Sequence, residues 1–109
     1  MADTIRIFSE TITVSAGSGN TALSANKYNS IIRAGGFLEQ LLVSAPNSNV
    51  VFDFYIKDGD GFIVWDRTGN KEKINDTTRI PMRGTYTLYV ENSDADGDFS
   101  VKLMFGELW

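Results

Sequence analysis

A hydrophobic alternation of period two recurs along most of this chain and constrains its fold more than any other feature. In Thr85–Val90, Tyr86, Leu88 and Val90 fall on one side and Thr85, Thr87 and Tyr89 on the other. In Phe99–Phe105, Phe99, Val101, Leu103 and Phe105 alternate with polar residues such as Ser100 and Lys102. In Val50–Lys57, Val50, Phe52, Phe54 and Ile56 alternate with Val51, Asp53, Tyr55 and Lys57. A helix repeats every 3.6 residues and would scatter these sets around its axis, so each segment predicts a strand with one buried face. Clusters of Gly, Asn and Asp separate the segments at a spacing of roughly 8–12 residues, which indicates an all-β, antiparallel β-sandwich of about eight strands. The expected core contains Phe52, Phe54, Ile56, Tyr86, Leu88, Val90, Val101 and Leu103.

The turns suggest how the strands connect. Asp58-Gly59-Asp60-Gly61 predicts a tight turn, with Phe62–Asp66 returning beside Val50–Lys57. Asn92–Asp98 reads the same way, as the turn of a second hairpin joining Thr85–Val90 to Phe99–Phe105. A shorter strand is expected over Thr77–Met82, where Pro81 places it at a sheet edge or a strand end. Thr4–Phe8 and Thr11–Val14 read as one interrupted strand or two short ones, Gly17–Lys27 as a polar loop, and Ser30–Arg33 as a strand. Phe37–Ser44 places Leu38, Leu41 and Leu42 at helical spacing, but it is short and bounded by Gly35-Gly36 and Pro46, so it is assigned to a strand.

Composition narrows the chemistry. The 109 residues suit one domain spanning 1–109, and there is no cysteine and no histidine. The missing residues are the usual general base near neutral pH and the commonest zinc ligands, so a zinc site would need carboxylates alone. A net charge of −4 repels a phosphate backbone, so nucleic acid is not an expected partner. Met1–Glu10 alternates like a strand and shows no signal peptide, and no apolar run approaches the ~20 residues of a membrane span.

The candidate chemical motifs are few. Asp94, Asp96 and Asp98 have the spacing of a calcium loop, but Phe99 and Phe105 stand where such a loop needs Gly and a bidentate Glu. The three are read as a solvated turn, with a weak cation site shared with another loop as the other possibility. Asp58 and Asp60, with Asp53, invite comparison with a catalytic carboxylate pair, yet turn geometry explains the first two. Gly17-Ser18-Gly19 and Gly35-Gly36 lack the Lys-Ser/Thr of a phosphate loop, and no serine has a histidine partner. No catalytic residue and no cofactor are therefore expected.

Aromatic residues are the better binding candidates. Tyr55, Tyr89 and either Ile63 or Trp65 fall on strand faces opposite the expected core. Aromatics there stack on sugars, anchor a protein interface, or complete a core beneath a covered strand. Leu108 and Trp109 form an apolar chain end that must dock on its own domain or on a neighbour.

The second half also carries a family pattern: Phe52-Asp53-Phe54-Tyr55-Ile56, the Asp58–Gly61 turn, Gly84-Thr85-Tyr86-Thr87-Leu88-Tyr89-Val90, and Gly97-Asp98-Phe99-Ser100-Val101. Over roughly residues 28–105 it resembles the pre-peptidase C-terminal domain family. That resemblance implies a jelly-roll-like sandwich with a non-catalytic binding or targeting role, calcium-stabilised in some members. Val51 stands where the family often has a second acidic residue.

The expected role is a non-enzymatic structural protein that decorates or cements a virus or phage particle. It would contact capsid or other assembly subunits, or copies of itself, and would be located in the virion. The expectation rests on the apparent lack of a leader and of catalytic machinery, and on abundant Ser, Thr, Asn and Gly. The rival is a carbohydrate- or protein-binding module, favoured by the family resemblance; an enzyme ranks third.

Overall fold

The computed structural model describes residues 4–23, 37–81 and 85–107. These form β1 (Thr4–Val14), β2 (Gly19–Leu23), β3 (Phe37–Ser44), β4 (Val51–Asp58), β5 (Ile63–Lys71), β6 (Lys73–Pro81), β7 (Tyr86–Glu91) and β8 (Gly97–Glu107). Two four-stranded antiparallel sheets, ordered β1-β8-β3-β6 and β2-β7-β4-β5, pack as a sandwich. Strand pairs 1–8, 2–7, 3–6 and 4–5 are nested, so the chain is one long antiparallel ribbon closed at the β4–β5 turn. Rolling the ribbon adds the pairs 3–8 and 4–7 and completes a jelly roll.

This arrangement corrects one expected hairpin. β4 and β5 do pair, but β7 and β8 lie in opposite sheets, and the segment between them crosses from one sheet to the other. β7 is flanked by β2 and β4, and β8 by β1 and β3, so neither has an edge free for the other. Their apolar faces meet across the core instead of lying side by side.

The core is built as the alternation requires. Phe52, Phe54, Ile56, Tyr86, Leu88, Val90, Val101 and Leu103 are all buried, joined by Ile12, Leu38, Leu41, Val43, Phe99 and Phe105. Phe52 of one sheet meets Phe99 of the other edge-to-face, ring centroids 4.9 Å apart. The buried Tyr86 satisfies its hydroxyl by donating to the Pro81 carbonyl at 2.9 Å.

The helical spacing in β3 has a local cause. Its register slips between Leu38 and Gln40 against both neighbouring strands. This bulge adds one residue, so Leu38 and Leu41, three apart, both face inward, with Val43 following in ordinary alternation. Thr78 stabilises the irregularity by donating its hydroxyl to the Leu38 carbonyl at 2.7 Å.

Other boundaries differ from expectation. β1 is one continuous strand, and β2 occupies part of the segment read as loop. The small, polar β2 is an edge strand paired only with β7, so its sequence shows little of the core pattern. β5 runs on to Lys71 and β6 begins at Lys73, with Glu72 making the corner at φ 68°. β6 is indeed an edge strand that ends at Pro81. The expected strand Ser30–Arg33 lies outside the described residues.

Candidate interaction surfaces

One end of the sandwich is clasped by side chains. It gathers the β1–β2 turn, the β3–β4 loop, the β5–β6 corner and the β7–β8 crossing, and the crossing supplies most of the ties. Asp94 accepts a hydrogen bond from the Val51 amide. Asp96 accepts from the amides of Ala16 and Gly17 at 3.3 and 3.2 Å, and Asp98 from the Thr13 hydroxyl at 2.9 Å. These carboxylates thus fasten the start of β4, the end of β1 and the β1–β2 turn by taking up their N–H and O–H groups. Among the described residues no group of three or more acidic side chains is arranged to hold a metal ion.

Asp53 and Asp58 are engaged in the same manner. Asp53 accepts from the Gly69 amide at 2.8 Å and from the Asn92 side-chain amide at 2.9 Å. Asp58 accepts from the amides of Asp60 and Phe62, at 3.0 and 2.9 Å, and so shapes the β4–β5 turn.

The outward face of the β2-β7-β4-β5 sheet carries Tyr55 and Tyr89. Tyr55 and Tyr89 are directly opposed on β4 and β7, both half-buried, and Asp66 is the partner of Tyr55 on β5. The Lys57 ammonium lies 4.5 Å from the centre of the Tyr89 ring, a cation–π contact. Partial burial raises the Tyr55 phenol above its ordinary value, and the negative charges of Asp53, Asp66 and Glu91 raise it further.

Trp65 belongs to the other side. It pairs with the buried Ile56 and packs against the core, its ring 6.1 Å from that of Phe54 in an edge-to-face contact. Of the two residues considered for the outward position, Ile63 holds it, because a register slip between Ile56 and Lys57 pairs Ile63 with Lys57. Leu108 and Trp109 lie outside the described residues.

Two further surface features have little signature in the sequence. Phe62, Ile63 and Val64, at the β4–β5 tip, are 69%, 53% and 39% exposed. Single exposed apolar residues are ordinary, but three in succession at a strand edge form a contiguous apolar tip. Their run of hydrophobic residues is visible in the sequence, but there it predicts a returning strand with one buried face. The second feature is a hollow of about 510 Å³ on the outward face of the β1-β8-β3-β6 sheet. Only the alternation of Ser100 and Lys102 hinted at its polar lining.

The fold thus defines an eight-stranded jelly-roll sandwich. No family model matches the chain, and no curated protein matches it. Among solved structures it is similar to a chain of the virus-like particle of Macrobrachium rosenbergii (giant freshwater prawn) extra small virus, determined by cryo-electron microscopy. The identity is 14% and the TM-score 0.38, over 100% of this chain and 82% of that one.

Proposed function

We propose that the chain is a non-enzymatic structural protein that decorates or cements a protein shell, of the kind a virus or phage particle presents. The contiguous apolar tip Phe62–Val64 carries this reading. It projects from an edge strand, where packing against a neighbouring subunit would remove it from water. Such a contact is held by apolar burial, which added salt does not weaken, whereas attraction between exposed charges is screened beyond roughly 8–10 Å.

The test is sedimentation and electron microscopy of wild type and Phe62→Ser at low and high salt, alone and with particles from the source. Self-association or particle binding should persist in high salt and weaken in the variant. Phe62 is a cleaner probe than Trp65, whose removal would also disturb Phe54. A wild type that stays monomeric and binds no particle would defeat the proposal.

A second reading, a carbohydrate-binding module in keeping with the pre-peptidase C-terminal resemblance, is favoured by the opposed pair Tyr55 and Tyr89. Paired rings on a sheet face offer a stacking platform for sugar. Retention on a polysaccharide column that is lost in Tyr55→Ala and Tyr89→Ala, in a protein that does not assemble, would favour it.

A further inference from the structure

We propose that the hollow on the outward face of the β1-β8-β3-β6 sheet binds an acidic saccharide. This site lies on the sheet opposite Tyr55 and Tyr89 and does not depend on the assembly reading. Two outward rows cross the sheet side by side: Ser9, Lys102, Leu42 and Asn75 in one, Thr11, Ser100, Ser44 and Lys73 in the other. The short side chains of Ser100, Ser44 and Thr11 lie beside the long ones of Lys102 and Lys73, and this difference in length makes the hollow. Its volume of about 510 Å³ falls in the range of small-molecule sites.

The lining matches the chemistry of such a ligand. The hydroxyls of Thr11, Ser44 and Ser100 can both donate to and accept from sugar hydroxyls. Asn75 uses its carbonyl oxygen to accept from Gln40 at 2.9 Å, which leaves its amide N–H groups as donors. Half-buried Leu42, on the inner strand β3, offers an apolar surface to the C–H face of a pyranose ring. Lys73 and Lys102 flank β3 from β6 and β8, two strand spacings or roughly 10 Å apart laterally. Among the described residues neither lysine is in an ion pair, and both are exposed. Glu10 also borders the hollow, but it pairs with the buried Val101 in the inward register, so the ligand's acidic group seats toward the lysines. The middle of the hollow lies over β8 and β3, which are paired on both sides, and the edge strands β1 and β6 form its rims. Over that middle no backbone ladder is open to an added peptide strand, and recognition there falls to hydroxyl, amide and ammonium groups.

The net charge of −4 makes the test clean, because bulk charge would repel a polyanion. A size-defined heparin oligosaccharide, neutral maltohexaose and poly-glutamate are titrated into the full chain by calorimetry. The variants are Lys73→Ala/Lys102→Ala and Ser44→Phe, the second filling the hollow, each with a thermal melt to confirm folding. The heparin fragment should bind the wild type and lose about tenfold or more in affinity in both variants, while maltohexaose should not bind detectably. Equal binding of poly-glutamate would mean that any polyanion is accepted and would overturn the saccharide assignment, as would no heparin binding or binding unchanged in folded variants. Sedimentation of the lysine variant should match wild type. If assembly is lost along with heparin binding, the hollow is a protein interface and the proposal fails, while the assembly reading stands.

Discussion

Asp94 and Val51 bond to each other in both directions: the Val51 amide donates to the Asp94 carboxylate at 3.0 Å, and the Asp94 amide donates to the Val51 carbonyl at 3.1 Å. This reciprocal pair docks the β7–β8 crossing onto the start of β4 and explains why an acidic run with calcium-loop spacing occurs in a turn. Asp94→Ala should cost about 1–2 kcal/mol in urea unfolding, whereas Asp94→Asn should cost less because its side-chain oxygen still accepts. Equal losses for the two variants would show that the charge, not the oxygen, matters.

The same carboxylates bear on calcium. Asp94, Asp96 and Asp98 already accept hydrogen bonds from their neighbours. Thermal melts with EDTA and with millimolar calcium should therefore agree within a few degrees. A large, saturable rise with calcium would show a cation site and strengthen the likeness to calcium-stabilised modules.

Leu88 sits in the middle of β7, fully buried, between Thr21 of β2 and Ile56 of β4. Leu88→Ala should cost about 2–5 kcal/mol through the cavity it leaves. Denaturant melts that showed a loss below about 1 kcal/mol would mean the site collapses to fill the space.

Gly19 is required by a close approach between strands. A Cβ there would lie 2.3 Å from the Thr13 carbonyl oxygen and 3.1 Å from Ile12 Cγ2. Gly19→Ala should destabilise by about 1–3 kcal/mol, because backbone must move to admit the methyl group. Gly59→Ala is the control: its Cβ would meet nothing nearer than Thr85 at 3.8 Å, and its effect should stay within about 0.5 kcal/mol.

Tyr55 should ionise above the ordinary phenol value of 10.0 in an ultraviolet titration of the folded protein. Asp66→Asn should lower its midpoint while leaving it raised, since partial burial is the larger cause. The fold disfavours the phenolate relative to the unfolded chain. This group's contribution to stability is therefore complete below the unfolded phenol's value and is lost as pH rises toward the folded one. Tyr55→Phe should remove that share of the alkaline destabilisation. A Tyr55 midpoint at or below the ordinary value would contradict the surface described.

Residues 50–57, 85–90 and 99–105 declared themselves as strands because alternation records which face is buried, a property each strand carries within itself. The eight expected core residues follow from that record, as does the β4–β5 turn, whose Asp58 and glycines act within a few residues of one another. Which strand lies beside which is a different kind of information. The β7–β8 crossing has the turn formers of a hairpin, and only the prior claims of β2 and β4 on the two sides of β7 send β8 to the other sheet. β2 carries little signal because an edge strand of small polar residues contributes little to the core, and the outward position stays open between Ile63 and Trp65 in the sequence because a register slip beside them inverts the local alternation. The sequence by itself determined the strands, their buried faces and the chain's chemical poverty in histidine and cysteine, since these are local or compositional. Only the tertiary structure decided the sheet order, the bulges, the exposed tip at Phe62–Val64 and the placing of Lys73 and Lys102 beside one hollow, because each depends on how residues distant in the chain are arranged.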